Sequence, residues 1–305
     1  KVNWLYTSES GREVTAVEAE IDGEPRQFRG DIVVVACGAI NSAGLLLRSR
    51  NEAHPNGLAN SSDQLGRNFM KHLATAMVSL GTRPNTDRYQ KTIGFNDYYW
   101  GEPDFPYPMG MVQNTGNIKA GMIPAESPAL LAPYVKLAPE FALEFVAQYT
   151  TGWWLQTEDL PDPNNRVECS ADGKLYLRYT PNNLEARDRL IHRWRTVLRA
   201  VDESVKHVMP FNLYPRNLLP LGAVAHQCGT CRFGTDPQTS VLDTNCRTHD
   251  IDNLYVVDSS FFPSHMGANP TLTIIANAIR VADHLSQRLE GSRPAEQDAR
   301  RAVAG

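Results

Sequence analysis

The sequence has 305 residues, of which 42% are apolar and 21% charged. That is enough for about two domains of ordinary size and too apolar for a disordered chain. The formal net charge of −4 gives no case for nucleic acid or an anionic membrane surface, and the longest apolar stretch, near residues 32–40, is far short of a membrane span.

The chain opens at Lys1, with no initiator Met and no signal-peptide pattern, and so reads as a mature or cut chain. Its cysteines stand at 37, 169, 228, 231 and 246. An odd, sparse set argues against a disulfide framework and for a reducing, cytoplasmic compartment. Cys228 and Cys231 form a CxxC. A redox role there needs a thioredoxin-like strand and helix, and a zinc role needs a second ligand pair. Neither accompanies it, so local packing is the expected role and no metal is expected.

In chain order, residues 2–7, 13–21 and 27–28 read as strands separated by Ser-Gly-Arg and Asp-Gly-Glu turns. Residues 31–38, Asp-Ile-Val-Val-Val-Ala-Cys-Gly, suit a strand of a parallel sheet buried on both faces. Gly38 ends it, and residues 41–48 read as a helix. Strand, glycine turn and helix form the unit of a doubly wound fold. Residues 76–215 are richer in Pro, Tyr and Trp. Alternation at 174–179 predicts an antiparallel strand with one solvated face. Residues 182–207 form an amphipathic helix with Leu184, Leu190, Ile191, Trp194 and Leu198 in register. Residues 253–258 repeat the buried-strand pattern. Residues 270–288 read as a helix with Leu272, Ile275, Ile279, Ala282 and Leu285 on one face and Gly291 beyond its end. The fold class is therefore α/β, α+β overall. A partial nucleotide-binding unit (1–75 and 216–290) is interrupted by an inserted domain with an antiparallel sheet and helices (76–215), and a polar tail follows at 291–305.

The chemistry concentrates near the carboxyl terminus. His226 lies in a Gly-rich loop, Asp258 ends a strand, and Asn269-Pro270 opens a helix. Open α/β sheets bind ligands at the carboxyl ends of their strands, and a helix amino terminus there offers free N–H groups and partial positive charge.

This pattern resembles the glucose-methanol-choline (GMC) oxidoreductases, FAD enzymes that oxidise alcohols and sugars. The matching segments are His226-Gln-Cys-Gly-Thr230, Val256-Val-Asp-Ser-Ser-Phe-Phe-Pro263, Asn269-Pro-Thr271, Ala282-Asp283, Gly38-Ala-Ile-Asn-Ser-Ala-Gly-Leu-Leu46 and Leu65-Gly-Arg-Asn-Phe-Met-Lys-His72. They run in the family's order over residues 31–72 and 226–284, and Asn269 places the chain nearest the pyranose-oxidase-like and sugar-dehydrogenase-like branch. Two departures stand out. Ser49 is followed by Arg50-Asn51 instead of the family's Gly-x-Gly. The Gly-x-Gly-x-x-Gly that grips the FAD pyrophosphate is absent too. The chain thus resembles the carboxyl-terminal portion of such an enzyme. A second polypeptide, or an amino-terminal segment outside this sequence, is expected to carry that loop.

The resemblance implies FAD as cofactor, an alcohol or sugar as substrate, and an electron acceptor the sequence does not identify. It implies that His226 takes the hydroxyl proton, since histidine titrates near neutral pH, while hydride passes to flavin N5. Asn269 would hold the substrate oxygen. Gly38, Ala39, Asp258, Ser259, Asn269, Pro270 and Thr271 would contact FAD, with the helix dipole favouring charge on the reduced flavin. Glu158 and His265 are weaker substrate contacts. Each has a structural alternative: a satisfied loop histidine for His226, a helix cap for Asn269, a turn cap for Asp258. The aromatics at 98–100 and 153–154 are core, sheet face or sugar-stacking groups. Competing functions are a fragment or subunit that cannot hold FAD alone, an FAD-containing cyanohydrin lyase, and a CxxC redox or metal module.

Overall fold

The computed structural model describes residues 1–127, 132–205 and 216–291. The polar tail beyond 291 and the end of the long helix at 206–207 lie outside these residues. Strands β1 (Val2–Thr7), β2 (Val14–Ile21) and β3 (Glu24–Phe28) form an antiparallel sheet in that order. Then come β4 (Val33–Val35), α1 (Ala39–Arg48), β5 (Leu73–Leu80), β6 (Gly94–Phe95) and β7 (Met111–Gly116). Helices α2 (Ile123–Glu126), α3 (Ala132–Leu137) and α4 (Glu140–Gln148) lead to β8 (Thr150–Thr157), β9 (Arg166–Cys169) and β10 (Leu175–Arg178). The chain continues through α5 (Leu184–Val205), β11 (Arg216–Leu218), β12 (Leu254–Val256) and α6 (Thr271–Gly291).

Strands β4 and β12 pair in parallel, with Leu254 opposite Val33 and Val256 opposite Val35, as their apolar runs predict. Burial on both faces does not extend to β4, where Val34 is 45% exposed. The core on the covered side joins Leu5, Val35, Leu46, Leu254, Tyr255 and Val281. The β9–β10 hairpin packs here too, through Val167 and Leu177, and its burial alternates as predicted, with Tyr176 and Arg178 outward. Residues 166–178, which composition groups with the inserted segment, thus pack on the nucleotide-fold side.

Helix α6 contradicts one reading of its stripe. Leu272, Ile275 and Ile279 are 81%, 51% and 59% exposed, while Ile274, Val281 and Leu285 face the core. The helix is apolar around more than one face, and periodicity alone does not decide which face is covered. Gly291 is its last residue instead of lying beyond it.

The second body is an antiparallel sheet, β11-β5-β8-β7-β6. Side chains alternate across a sheet, so register sorts its faces. Met77, Val112, Leu155 and Trp153 share the face that packs on Ala186, Leu190, Ile191, Trp194 and Leu198 of α5. Of the predicted α5 stripe only Leu184 is exposed, because Ala186 takes the corresponding buried place. The neighbouring tryptophans therefore separate. Trp153 is core, with its ring 4.9 Å from that of Trp194. Trp154 lies on the other face with Ala74 and Ala76 of β5 and with Leu219 and Val224.

The CxxC cysteines are buried free thiols in the first core, and Cys246 is buried beside them. Burial pushes the thiols of Cys228 and Cys231 well up. Among the described residues no group of three or more His, Cys, Asp or Glu could hold a metal ion, and no helix is long and apolar enough to cross a membrane. A thiol reagent is expected to label exposed Cys37 in the folded protein and to reach Cys228 and Cys231 only on unfolding. Rapid labelling of either residue in the native state would contradict this placement.

Candidate active site

Met70 and Cys228 exchange two backbone hydrogen bonds, of 3.0 and 2.9 Å, in an antiparallel bridge. Two residues after Met70 and two before Cys228, His72 and His226 therefore fall opposite each other on one face. Gly229 permits the close approach. Its φ is +93°, and a Cβ there would stand 2.2 Å from the Asn68 carbonyl oxygen.

The histidine hydrogen bonds determine the ring protons. Met266 O lies 2.7 Å from His72 Nε2 and can only accept, so His72 carries its proton on Nε2. Neutral His72 then has a bare Nδ1, 2.8 Å from His226 Nδ1. His226 must donate there, which in the neutral ring leaves Nε2 as an unprotonated lone pair. His265 Nε2 donates to the His226 carbonyl at 2.9 Å and anchors that loop. Its ring packs edge-on to His72 at 4.4 Å. His265, a weak substrate candidate from sequence, is 5% exposed and tied to the backbone.

Burial lowers all three histidines: His72 to about 2, with His265 and His226 adding to the effect, and His265 to about 4. His226 is lowered by burial and then by the Lys91 ammonium. A histidine acting as general base works in its unprotonated form, so such activity is lost as pH falls through its pKa. The His226 pKa lies below the ordinary value of 6.5. The acid limb of kcat/KM is therefore expected below about pH 6.5, with a plateau above it. A limb centred above neutrality would contradict this environment.

Asn269 lies just before α6, where Pro270 O accepts the Ile274 N–H at 3.0 Å. Its Oδ1 accepts from Gln113 Nε2 at 3.3 Å, which ties it to β7. Gln113 is on the same sheet face as Trp154, and Lys91 Nζ stands 5.0 Å over the Trp154 ring. That face thus meets the histidine loop. Burial raises the Glu158 carboxyl. Glu158 in turn raises the nearby Tyr99 hydroxyl, after burial, and Tyr99 packs against Gly267. Glu158 thus borders the 265–269 loop.

The remaining sequence candidates converge at the ends of β4 and β12. Asp258 Oδ2 accepts from the Gly38 N–H at 3.0 Å and from the Ser42 hydroxyl. Its Oδ1 accepts from Ser260 N at 2.9 Å and Ser260 Oγ at 2.5 Å. Asp258 thus pins the start of α1 to the end of β12. Ala39 O accepts from Thr230 Oγ at 2.6 Å, and Ser259 O from the Gly229 N–H at 3.4 Å. These bonds join the two nucleotide-fold segments to the His226 loop.

This corner fits the FAD that the sequence implies. Gly38 has φ +83°, and nothing lies within 4 Å of where its Cβ would stand. The N–H groups of Thr271, Leu272 and Thr273 precede the first intrahelical donor, Ile274 N–H, and all three residues are exposed. Such a donor-rich, positively polarised rim suits the oxygens of a flavin ring.

Sequence reasoning names His226, Asn269 and Asp258 but does not name His72, Gln113 or Lys91 as site residues. His72 ends the Leu65–His72 motif, so its signal was in view. Gln113 and Lys91 have no local signal.

A parallel strand pair, a histidine with a bare ring nitrogen and an adjoining antiparallel sheet thus meet at one site. Residues 161–278 match the GMC oxidoreductase family model, and the chain carries the carboxyl-terminal domain of that family. It is 31% identical over 287 residues to 6'''-hydroxyparomomycin C oxidase of Streptomyces lividus, covering 90% of this chain and 48% of that enzyme. It is 27% identical over 304 residues to the fructose dehydrogenase large subunit of Gluconobacter japonicus, covering 95% and 53%. The pyridoxine 4-oxidase structure from Mesorbium loti superposes with a TM-score of 0.64 at 19% identity, over 94% of this chain and 57% of that one. A formate oxidase variant from Aspergillus oryzae gives 0.65 at 15% identity, over 95% and 60%. The chain therefore spans about half the length of the curated relatives it matches. Those relatives are oxidases and dehydrogenases of sugars and alcohols, and the family is FAD-dependent.

Proposed function

We propose that this chain supplies the catalytic pair and substrate face of an FAD-dependent oxidoreductase acting on the CH–OH group of an alcohol or sugar. The observation that carries the reading is the hydrogen-bond chain from His226 through His72 to the Met266 carbonyl, which leaves His226 Nε2 unprotonated. When bound, FAD supplies the acceptor for the hydride that leaves the carbinol carbon. His226 Nε2 takes the hydroxyl proton. The imidazolium formed is then stabilised by its Nδ1–H bond to neutral His72. Asn269 fixes the substrate oxygen. Gly38, Ala39, Asp258, Ser259, Asn269, Pro270 and Thr271 form the cofactor side of the site. FAD's pyrophosphate would be held outside these 305 residues, on a longer form of the chain or a second polypeptide, which the length of the relatives supports.

Anaerobic addition of glucose or a simple alcohol to the FAD-loaded enzyme tests the reading. Loss of the oxidised flavin absorption, with a carbonyl product in equal amount, is expected. Substrate consumption without flavin reduction would replace oxidation with a lyase reaction.

A further inference from the structure

Gln113 has unequal ends. Its Nε2 lies 3.3 Å from Asn269 Oδ1 and 3.6 Å from Met111 Sδ. Both neighbours accept, and the amide nitrogen has two hydrogens to give. The thioether settles the amide orientation, because a carbonyl oxygen turned toward sulfur would set acceptor against acceptor. Two consequences follow. The Asn269 oxygen is occupied, so its NH2 group is left to donate. Gln113 Oε1, on the other side, is buried and has no donor. A buried acceptor without a partner costs about 1–3 kcal/mol, and such atoms persist in native proteins where a ligand or water completes them.

Gln113 is paired with Trp154 across β7 and β8, and Trp154 is paired with Ala76 of β5. The sheet face thus places the Gln113 amide beside the Trp154 ring, while Ala76 packs with Leu219 and Val224.

On the alcohol-oxidising reading above, we propose that Gln113 is both a positioning residue and a specificity residue. Its Nε2 turns the Asn269 amide so that N–H faces the reacting oxygen. Its Oε1 accepts a hydrogen bond from a second hydroxyl of the substrate. The site thereby selects polyols, meaning vicinal diols and sugars, over alcohols with a single hydroxyl.

Two variants separate these roles in the FAD-loaded enzyme. Anaerobic flavin reduction is measured with glucose, propylene glycol and propanol. Wild type is expected to favour the polyols. Gln113→Leu removes donor and acceptor, and the ratio of kcat/KM for polyol over propanol should fall about tenfold, the equivalent of one hydrogen bond. Gln113→Glu keeps an acceptor and loses the donor. The Asn269 NH2 then turns toward the carboxylate, so kcat should fall for every substrate while the polyol preference persists. An unchanged ratio in Gln113→Leu would overturn the specificity role. Wild-type kcat in Gln113→Glu would overturn the positioning role, and that near-isosteric variant decides the matter if Gln113→Leu does not fold. A wild-type enzyme whose flavin none of the probes reduces would instead overturn the alcohol-oxidising reading itself.

Discussion

Replacing His226 with alanine should slow flavin reduction by substrate about a thousandfold, within the usual range for loss of a positioned general base. The loss should fall on kcat more than on KM, because the proton is transferred in the transition state. The other two rings are poor substitutes. His72 and His265 each use Nε2–H on a carbonyl, and burial lowers them to about 2 and about 4, so their bare Nδ1 atoms are weak bases. His72→Leu makes the contrast. It removes the acceptor for His226 Nδ1–H but leaves the base in place, so the loss should be smaller and accompanied by a shift of the acid limb. Anaerobic stopped-flow absorption across pH reads both effects. A His226→Ala rate within tenfold of wild type would remove this residue from the chemistry.

Asp258→Ala should lower unfolding free energy by about 3 kcal/mol or more. The carboxylate accepts from the Gly38 N–H, the Ser42 hydroxyl, and both the N–H and hydroxyl of Ser260. Ser42 and Ser260 are fully buried, so water does not replace the lost acceptor without local opening. The loss should also loosen the start of α1, where Gly38 borders the cofactor side. Asp258→Asn keeps one acceptor oxygen and should fall between the two. Urea unfolding monitored by tryptophan fluorescence measures the difference, and a midpoint unchanged by Asp258→Ala would contradict the role of this carboxylate as the joint between β12 and α1.

These expectations show where sequence reasoning reaches and where it stops. The parallel pairing of β4 with β12 is legible because both lie in short apolar runs followed by glycine or aspartate. His226, Asn269 and Asp258 stand out in the sequence through short motifs with fixed spacing, and the structure gives each a hydrogen-bonded position. Gln113 is not, because its meaning depends on the pairing of β7 with β8 and on a bond to a residue 156 positions away. The split of Trp153 from Trp154 likewise appears only once strand register is known. For α6, periodicity groups Leu272, Ile275 and Ile279 correctly but does not say what lies over them. The burial of Lys71 and Asp159 has no signal in the sequence. Both are buried, at 2% and 1% exposure, and burial lowers the Lys71 ammonium and raises the Asp159 carboxyl to about 6. A charged residue in a core looks like any other charged residue in a sequence.

The central claim is that His226 offers Nε2 as an unprotonated base while neutral His72 receives its Nδ1–H. Nitrogen-15 NMR of the ring-labelled, FAD-loaded enzyme at neutral pH reads this directly. The predicted spectrum shows His226 protonated on Nδ1 and bare on Nε2, with His72 protonated on Nε2 and bare on Nδ1. A proton on His226 Nε2, or a cationic His72, would contradict the account.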